Sequence, residues 1–140
     1  MPPASNLELL WMRLFHLPLL LILLLALPAP LLAAAQNISA AQSREMLQKD
    51  PQIYLLDVRT REEYLQIRLE KAHLIPIEEI LRRVNEIPAD RPVLVYCAVG
   101  SRSAQVANYL ARRNKAAVYN MYGGIWGWQM RGYPVLQGRP

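Results

Sequence analysis

Apolar and polar positions fall into three kinds of block along this chain. Leu14 to Leu32 is apolar almost throughout, and Leu19 to Leu27 is unbroken. Beyond it, short apolar runs recur at Ile53–Val58, His73–Ile77, Pro92–Tyr96 and Ala117–Tyr122. Runs of this length, bounded by turn residues, predict strands buried on both faces of a parallel sheet. The segments between them carry apolar residues at helical spacing. Ser39 to Lys49 predicts a helix capped by Ser39, with Ala40, Met46 and Leu47 facing inward and Asp50-Pro51 ending it. Thr60 caps a short helix through Glu62, Glu63 and Tyr64. Ile77, Ile80, Leu81, Val84 and Ile87 predict a helix stopped by Pro88. Ser101 to Arg113 predicts another, with Ala104, Ala107, Leu110 and Ala111 packed. Its end carries Arg112, Arg113 and Lys115, where the helix dipole favours cations. After the turn Gly123-Gly124, Ile125 to Met130 predicts a short terminal helix.

Strands alternating with helices imply an α/β fold. We expect one domain with a mostly parallel sheet of about five strands, flanked by helices on both faces. In such sheets ligands bind beyond the carboxyl ends of the strands. Cys97 stands there, directly after Pro92–Tyr96.

The first block reads differently. Arg13 precedes the apolar run and Ala33-Ala34-Ala35 follows it. A basic flank, a short apolar core and small residues before a cleavage point mark a secretory signal peptide. Residues 1–35 are therefore expected to be a cleaved leader and 36–140 the domain. The alternative is an uncleaved membrane anchor facing the periplasm, which needs about 20 apolar residues. Pro18, Pro28 and Pro30 suit the boundaries of a signal core better than a long packed helix. A periplasmic location follows, with membrane contact only through a retained leader.

Charge adds a partner class. The chain has a net charge of +5. No acidic residue follows Asp90, whereas Arg91, Arg102, Arg112, Arg113, Lys115, Arg131 and Arg139 are basic. Such a field attracts small anions. The bases are scattered and the address is outside the cytoplasm, so nucleic acid is not expected.

Cys97 is the single cysteine, which excludes an internal disulfide. A lone thiol is a reactive group, an intermolecular link, or a small apolar filler. Its surroundings favour the first. In Cys97-Ala98-Val99-Gly100-Ser101-Arg102-Ser103 a strand delivers the thiol into a loop that opens into a helix. Free N–H groups at a helix start and in a folded loop make an anion site. Gly100 permits the turn, and Arg102 adds a fixed charge. These features favour thiolate over thiol, so no separate base is needed.

This segment resembles the active-site loop of rhodanese-homology domains, with four residues between cysteine and a basic residue. Leu55-Leu56-Asp57-Val58-Arg59 with Glu63-Tyr64 resembles the family's N-terminal motif. Tyr122-Gly123-Gly124-Ile125, Trp128 and Gly132-Tyr133-Pro134 resemble its C-terminal motif. With the leader, the chain is most similar to small periplasmic rhodaneses of the phage-shock type. The resemblance implies a thiosulfate sulfurtransferase with Cys97 as persulfide carrier. The amides of Ala98, Val99, Gly100, Ser101 and Arg102 would line the cradle, and Arg102 would be the basic loop residue. It implies a small anionic sulfur donor, a thiophilic acceptor such as cyanide or a thiol, and no metal or other cofactor. Asp57, Arg59 and Glu63 are read as structural residues closing a strand-to-helix turn, and the cluster from Tyr122 to Trp128 as packing. One stretch departs from the family pattern: in Ile67-Arg68-Leu69-Glu70-Lys71-Ala72-His73 the usual glycines and histidine are missing from their usual places. His73 is read there as a surface or strand-end residue.

Three rivals remain at this level. A phosphatase or arsenate reductase on the same scaffold would use a loop one residue longer. A sulfur carrier or partner-binding module would keep the fold without catalysis. A thiol–disulfide oxidoreductase lacks the second cysteine that resolves a mixed disulfide.

Overall fold

The computed structural model describes residues 34–113 and 117–140. The expected leader lies outside the described residues apart from Ala34 and Ala35, and so does Lys115. The described residues belong to the compact unit Leu32–Pro140.

Five parallel strands form one sheet: β1 (Gln36–Ile38), β2 (Tyr54–Asp57), β3 (His73–Leu74), β4 (Val93–Tyr96) and β5 (Val118–Met121). Their order is β1-β5-β4-β2-β3. The apolar runs fold as strands because both faces of the sheet are covered. Leu56, Val93 and Val95 pack on one side with Ile80, Val106 and Leu110. Leu55, Leu94 and Tyr96 pack on the other with Ala40, Tyr64, Ile125 and Trp128. All four residues of β4 are fully buried, as a central parallel strand requires.

The helices are α1 (Ala40–Lys49), α2 (Arg61–Gln66), α3 (Ile80–Arg83), α4 (Ser101–Ala111) and α5 (Gly124–Gln129). Ser39 and Thr60 each form a capping box, with Gln42 and Glu63 respectively. The side-chain oxygen takes up one free N–H of the first turn, and the third helical residue reaches back to the cap.

Two elements differ from the sequence expectation. β1 is a short strand at the sheet edge, paired to β5 from Gln36↔Tyr119 to Ile38↔Met121. Its residues are polar, polar and apolar, too brief a pattern to signal a strand. The expected helix from Ile77 to Ile87 is broken into a 3₁₀ turn (Ile77–Glu79), α3, and a second 3₁₀ turn (Val84–Glu86). Leu81 is 72% exposed, so the apolar spacing there does not mark one buried face.

The stretch that departs from the family pattern has its own anchoring. Lys71 takes the left-handed conformation (φ 61°), which glycine adopts at less cost. The main chain of Arg68 pairs with Leu136 in both directions (2.9 and 2.8 Å), and its guanidinium donates to Gly138 O. Tyr64 Oη donates to Ala72 O (2.8 Å), and Tyr96 Oη accepts from Leu69 N–H (3.2 Å). His73 opens β3, exposed, stacked on Tyr54 at 4.3 Å.

Candidate active site

Cys97 directly follows β4, and the chain turns through Ala98-Val99-Gly100 into α4. The turn is possible because Gly100 adopts φ 101°, a left-handed conformation that costs glycine little. A Cβ there would stand 3.0 Å from the Gly123 nitrogen. The loop is also held from below by the start of α5. Ile125 N–H donates to Cys97 O (2.9 Å) and Trp126 N–H to Ala98 O (3.1 Å). That approach needs Gly124, whose Cβ would fall 2.4 Å from both carbonyl oxygens. The Gly-Gly signature therefore serves the thiol loop directly, and Ile125 and Trp128 beyond it are core. Tyr122 and Trp126 are exposed instead of packed.

Cys97 is buried. Its Sγ accepts from Gly100 N–H at 3.1 Å and from Ser103 Oγ at 3.4 Å. Burial pushes the thiol pKa up, and it is the largest single influence. The Ser103 hydroxyl and the N–H groups of Ser103, Gly100 and Val99 together outweigh it, so the pKa lies below that of a free thiol. Donors fixed by the fold stabilise the thiolate without a histidine.

The expected cradle residues thus divide. Gly100 is buried against the sulfur, and Val99 is exposed with its amide turned inward. Ala98 is half-buried and anchors the loop to α5 through its carbonyl. Ser101 is exposed as the first residue of α4. Ser103, fully buried, is a further donor that the sequence offers only as the residue directly after a basic one.

Arg102 is half-buried, and its guanidinium is taken by Glu63. Nη1 donates to Oε2 at 2.9 Å and Nη2 to Oε1 at 2.7 Å. Glu63 Oε2 also accepts from Thr60 N–H (2.9 Å). Hydrogen bonding from Arg102, with help from Thr60, holds the Glu63 carboxyl down at about 2 despite partial burial. Arg102 is in turn pushed up, chiefly by Glu63 and to a lesser degree by the Cys97 thiolate. Glu63 therefore caps α2 and also fixes the basic loop residue.

Asp57 and Arg59 close the β2–α2 turn, as expected. Arg59 Nη2 lies 2.6 Å from Asp57 Oδ2, with both side chains almost completely buried. Nη2 also donates to Ile67 O (2.7 Å), and Arg59 N–H to Asp57 Oδ1 (2.9 Å). On β5, Asn120 Nδ2 donates to Asn37 Oδ1 (2.8 Å) and, at 3.4 Å, to Gly100 O. Among the described residues no cluster of histidine, cysteine and carboxylates has the arrangement of a metal site.

The comparisons agree with this geometry. Residues 39–131 match the rhodanese-like domain family. A protein named sulfurtransferase from Allochromatium vinosum is 38% identical over 84 residues, 60% of this chain and 78% of its own length. The thiosulfate sulfurtransferase GlpE of Actinobacillus succinogenes is 30% identical over 102 residues, covering 73% of this chain and 91% of that protein. The crystal structure of a rhodanese-related protein from Thermoplasma volcanium superposes with a TM-score of 0.66 at 31% identity. It covers 72% of this chain and 97% of the other. With the thiol loop, the strand order and these relatives in agreement, the chain belongs to the rhodanese-like domain family.

Proposed function

We propose that this protein is a sulfurtransferase that carries a sulfane sulfur as a persulfide on Cys97. The observation that carries the reading is the thiolate-stabilising set around Sγ, with Gly100 N–H at 3.1 Å and Ser103 Oγ at 3.4 Å. With thiosulfate as donor, the Cys97 thiolate attacks the outer sulfur. The sulfur–sulfur bond of thiosulfate breaks, sulfite leaves with the electron pair, and the anionic persulfide remains. A thiophilic acceptor then takes the outer sulfur, cyanide leaving as thiocyanate or a thiolate as its own persulfide, and the Cys97 thiolate returns. No proton or electron is needed from elsewhere. The loop N–H groups and the start of α4 offset the negative charge that stays on the persulfide.

The relatives named as sulfurtransferases support this reading. So does the four-residue spacing from Cys97 to Arg102, which suits a sulfur atom better than a phosphate group. The test is folded Cys97→Ser protein assayed beside the wild type for thiocyanate formation. The serine hydroxyl has no neighbouring base to activate it, so transfer is expected to vanish. Comparable transfer by the variant would end this reading.

The proposal places the enzyme in the periplasm after removal of residues 1–35. Amino-terminal sequencing of protein recovered from the exporting host is expected to begin at or near Gln36. An intact leader in washed membranes would favour the anchored form.

A further inference from the structure

Arg102 would be the natural partner for an anionic donor, yet its charge is already matched. Both Nη atoms are committed to Glu63 at 2.9 and 2.7 Å. Glu63 is in turn held at two further points: its backbone N–H donates to Thr60 Oγ1 (3.2 Å) and its Oε2 accepts from Thr60 N–H (2.9 Å). Its first-turn place in α2 also favours a negative charge. The carboxylate is therefore a fixed negative group bound to the one charged side chain of the thiol loop. Its side chain keeps 30% of its surface exposed and that of Arg102 31%, so an arriving donor meets the pair rather than a free guanidinium.

Resting on the sulfur-transfer reading, we propose that Glu63 is a specificity-determining residue that, by pairing with Arg102, makes the site favour singly charged sulfane donors over doubly charged ones. A dianion such as thiosulfate gains little from a guanidinium that is already neutralised, and it feels the fixed carboxylate twice as strongly as a monoanion does. A persulfide or a thiosulfonate brings the same outer sulfur with one charge. The donor class assigned to the site is thus the monoanionic sulfane sulfur compound, with thiosulfate a weaker alternative. For a persulfide donor, the Cys97 thiolate bonds to the outer sulfur as the donor's sulfur–sulfur bond breaks, and the donor leaves as a thiolate. Charge and atoms balance as they do with thiosulfate.

The probes are thiosulfate and methanethiosulfonate, which differ by one charge at similar size, with cyanide as acceptor. For each donor, kcat/KM is measured with the wild type, Glu63→Gln and Glu63→Asp. Glutamine is tolerated at the third position of a capping box, so Glu63→Gln removes the charge with the cap retained. We expect the thiosulfate-to-methanethiosulfonate ratio of kcat/KM to rise about tenfold in Glu63→Gln, mostly through a lower KM for thiosulfate. Glu63→Asp keeps the charge, so its ratio stays within about twofold of the wild type even if both rates fall. If Glu63→Gln does not fold, Glu63→Ala carries the same test, since the Thr60 hydroxyl cap remains. A ratio unchanged by loss of the charge, or one that shifts equally in Glu63→Asp, would overturn the proposal while leaving sulfur transfer intact. A wild type that transfers sulfur from neither donor would instead overturn the sulfur-transfer reading itself.

Discussion

Ser103 Oγ lies 3.4 Å from Cys97 Sγ, with both residues fully buried. Among the influences that lower the Cys97 pKa, this hydroxyl ranks first. Removing it leaves the raising effect of burial less well opposed. We expect Ser103→Ala to move the midpoint of Cys97 alkylation against pH upward. Sulfur transfer at neutral pH is expected to fall about ten- to hundredfold, the loss of one hydrogen bond to a charged group. An unchanged pH profile would mean that the loop amides alone set the thiolate.

Gly124 predicts a steric failure rather than an electrostatic one. Its Cβ would stand 2.4 Å from the carbonyl oxygens of Cys97 and Ala98, at φ +55°. Gly124→Ala is expected to cost roughly 2–5 kcal/mol through overlap and left-handed strain, read by urea unfolding. Gly127→Ala serves as control, because nothing lies within 4 Å of a Cβ there.

The Asp57–Arg59 pair is buried, so breaking it from one side leaves an uncompensated charge. Asp57→Asn is expected to lower stability by about 3–5 kcal/mol. Replacing both residues by apolar ones is expected to cost less than the sum of the single changes. Equilibrium denaturation of the two single variants and the double variant decides this. An additive result would show that each side chain acts through separate contacts.

Glu63 also predicts the acid limb of stability. Its pKa is depressed from 4.5 to about 2, chiefly by Arg102. A depressed carboxyl stabilises the fold above its unfolded pKa, and that contribution is lost as pH falls through the folded pKa. Wild-type stability should therefore decline between about pH 4.5 and pH 2 in part through Glu63. The decline is expected to be shallower in Glu63→Gln over the same window. Identical acid limbs would show that the Arg102 pair contributes nothing to folding.

The sequence made the thiol loop and its setting legible because both rest on local signals. β4 is a continuous apolar run, Gly100 marks a left-handed turn, and Thr60 and Ser39 are caps with their partners three residues on. α4 begins at Ser101 as expected and ends at Ala111, slightly before the expected Arg113. β1 was not legible, because three edge residues held by pairing to β5 carry no period. The broken segment from Ile77 to Glu86 kept helical spacing, but Leu81 faces solvent and Arg83 departs from helical geometry at φ −110°, ψ 10°. The Arg102–Glu63 pair joins residues 39 positions apart. No local pattern reports such a contact, so Glu63 reads in sequence only as a polar residue closing the strand-to-helix turn. Ser103 is similar: its place beside Sγ follows from the way α4 turns back over the loop.

Sulfur transfer as proposed requires Cys97 to take and hold one sulfane sulfur. The intact mass of wild-type and Cys97→Ser protein, taken after exposure to a sulfane donor and again after cyanide, reads this step. Thiosulfate and methanethiosulfonate are both used, so that donor charge does not decide the outcome. The wild type is expected to gain the mass of one sulfur atom and to lose it to cyanide as thiocyanate, while Cys97→Ser gains nothing. A wild type that gains no sulfur from either donor, or a folded Cys97→Ser protein that gains it equally, would contradict the account.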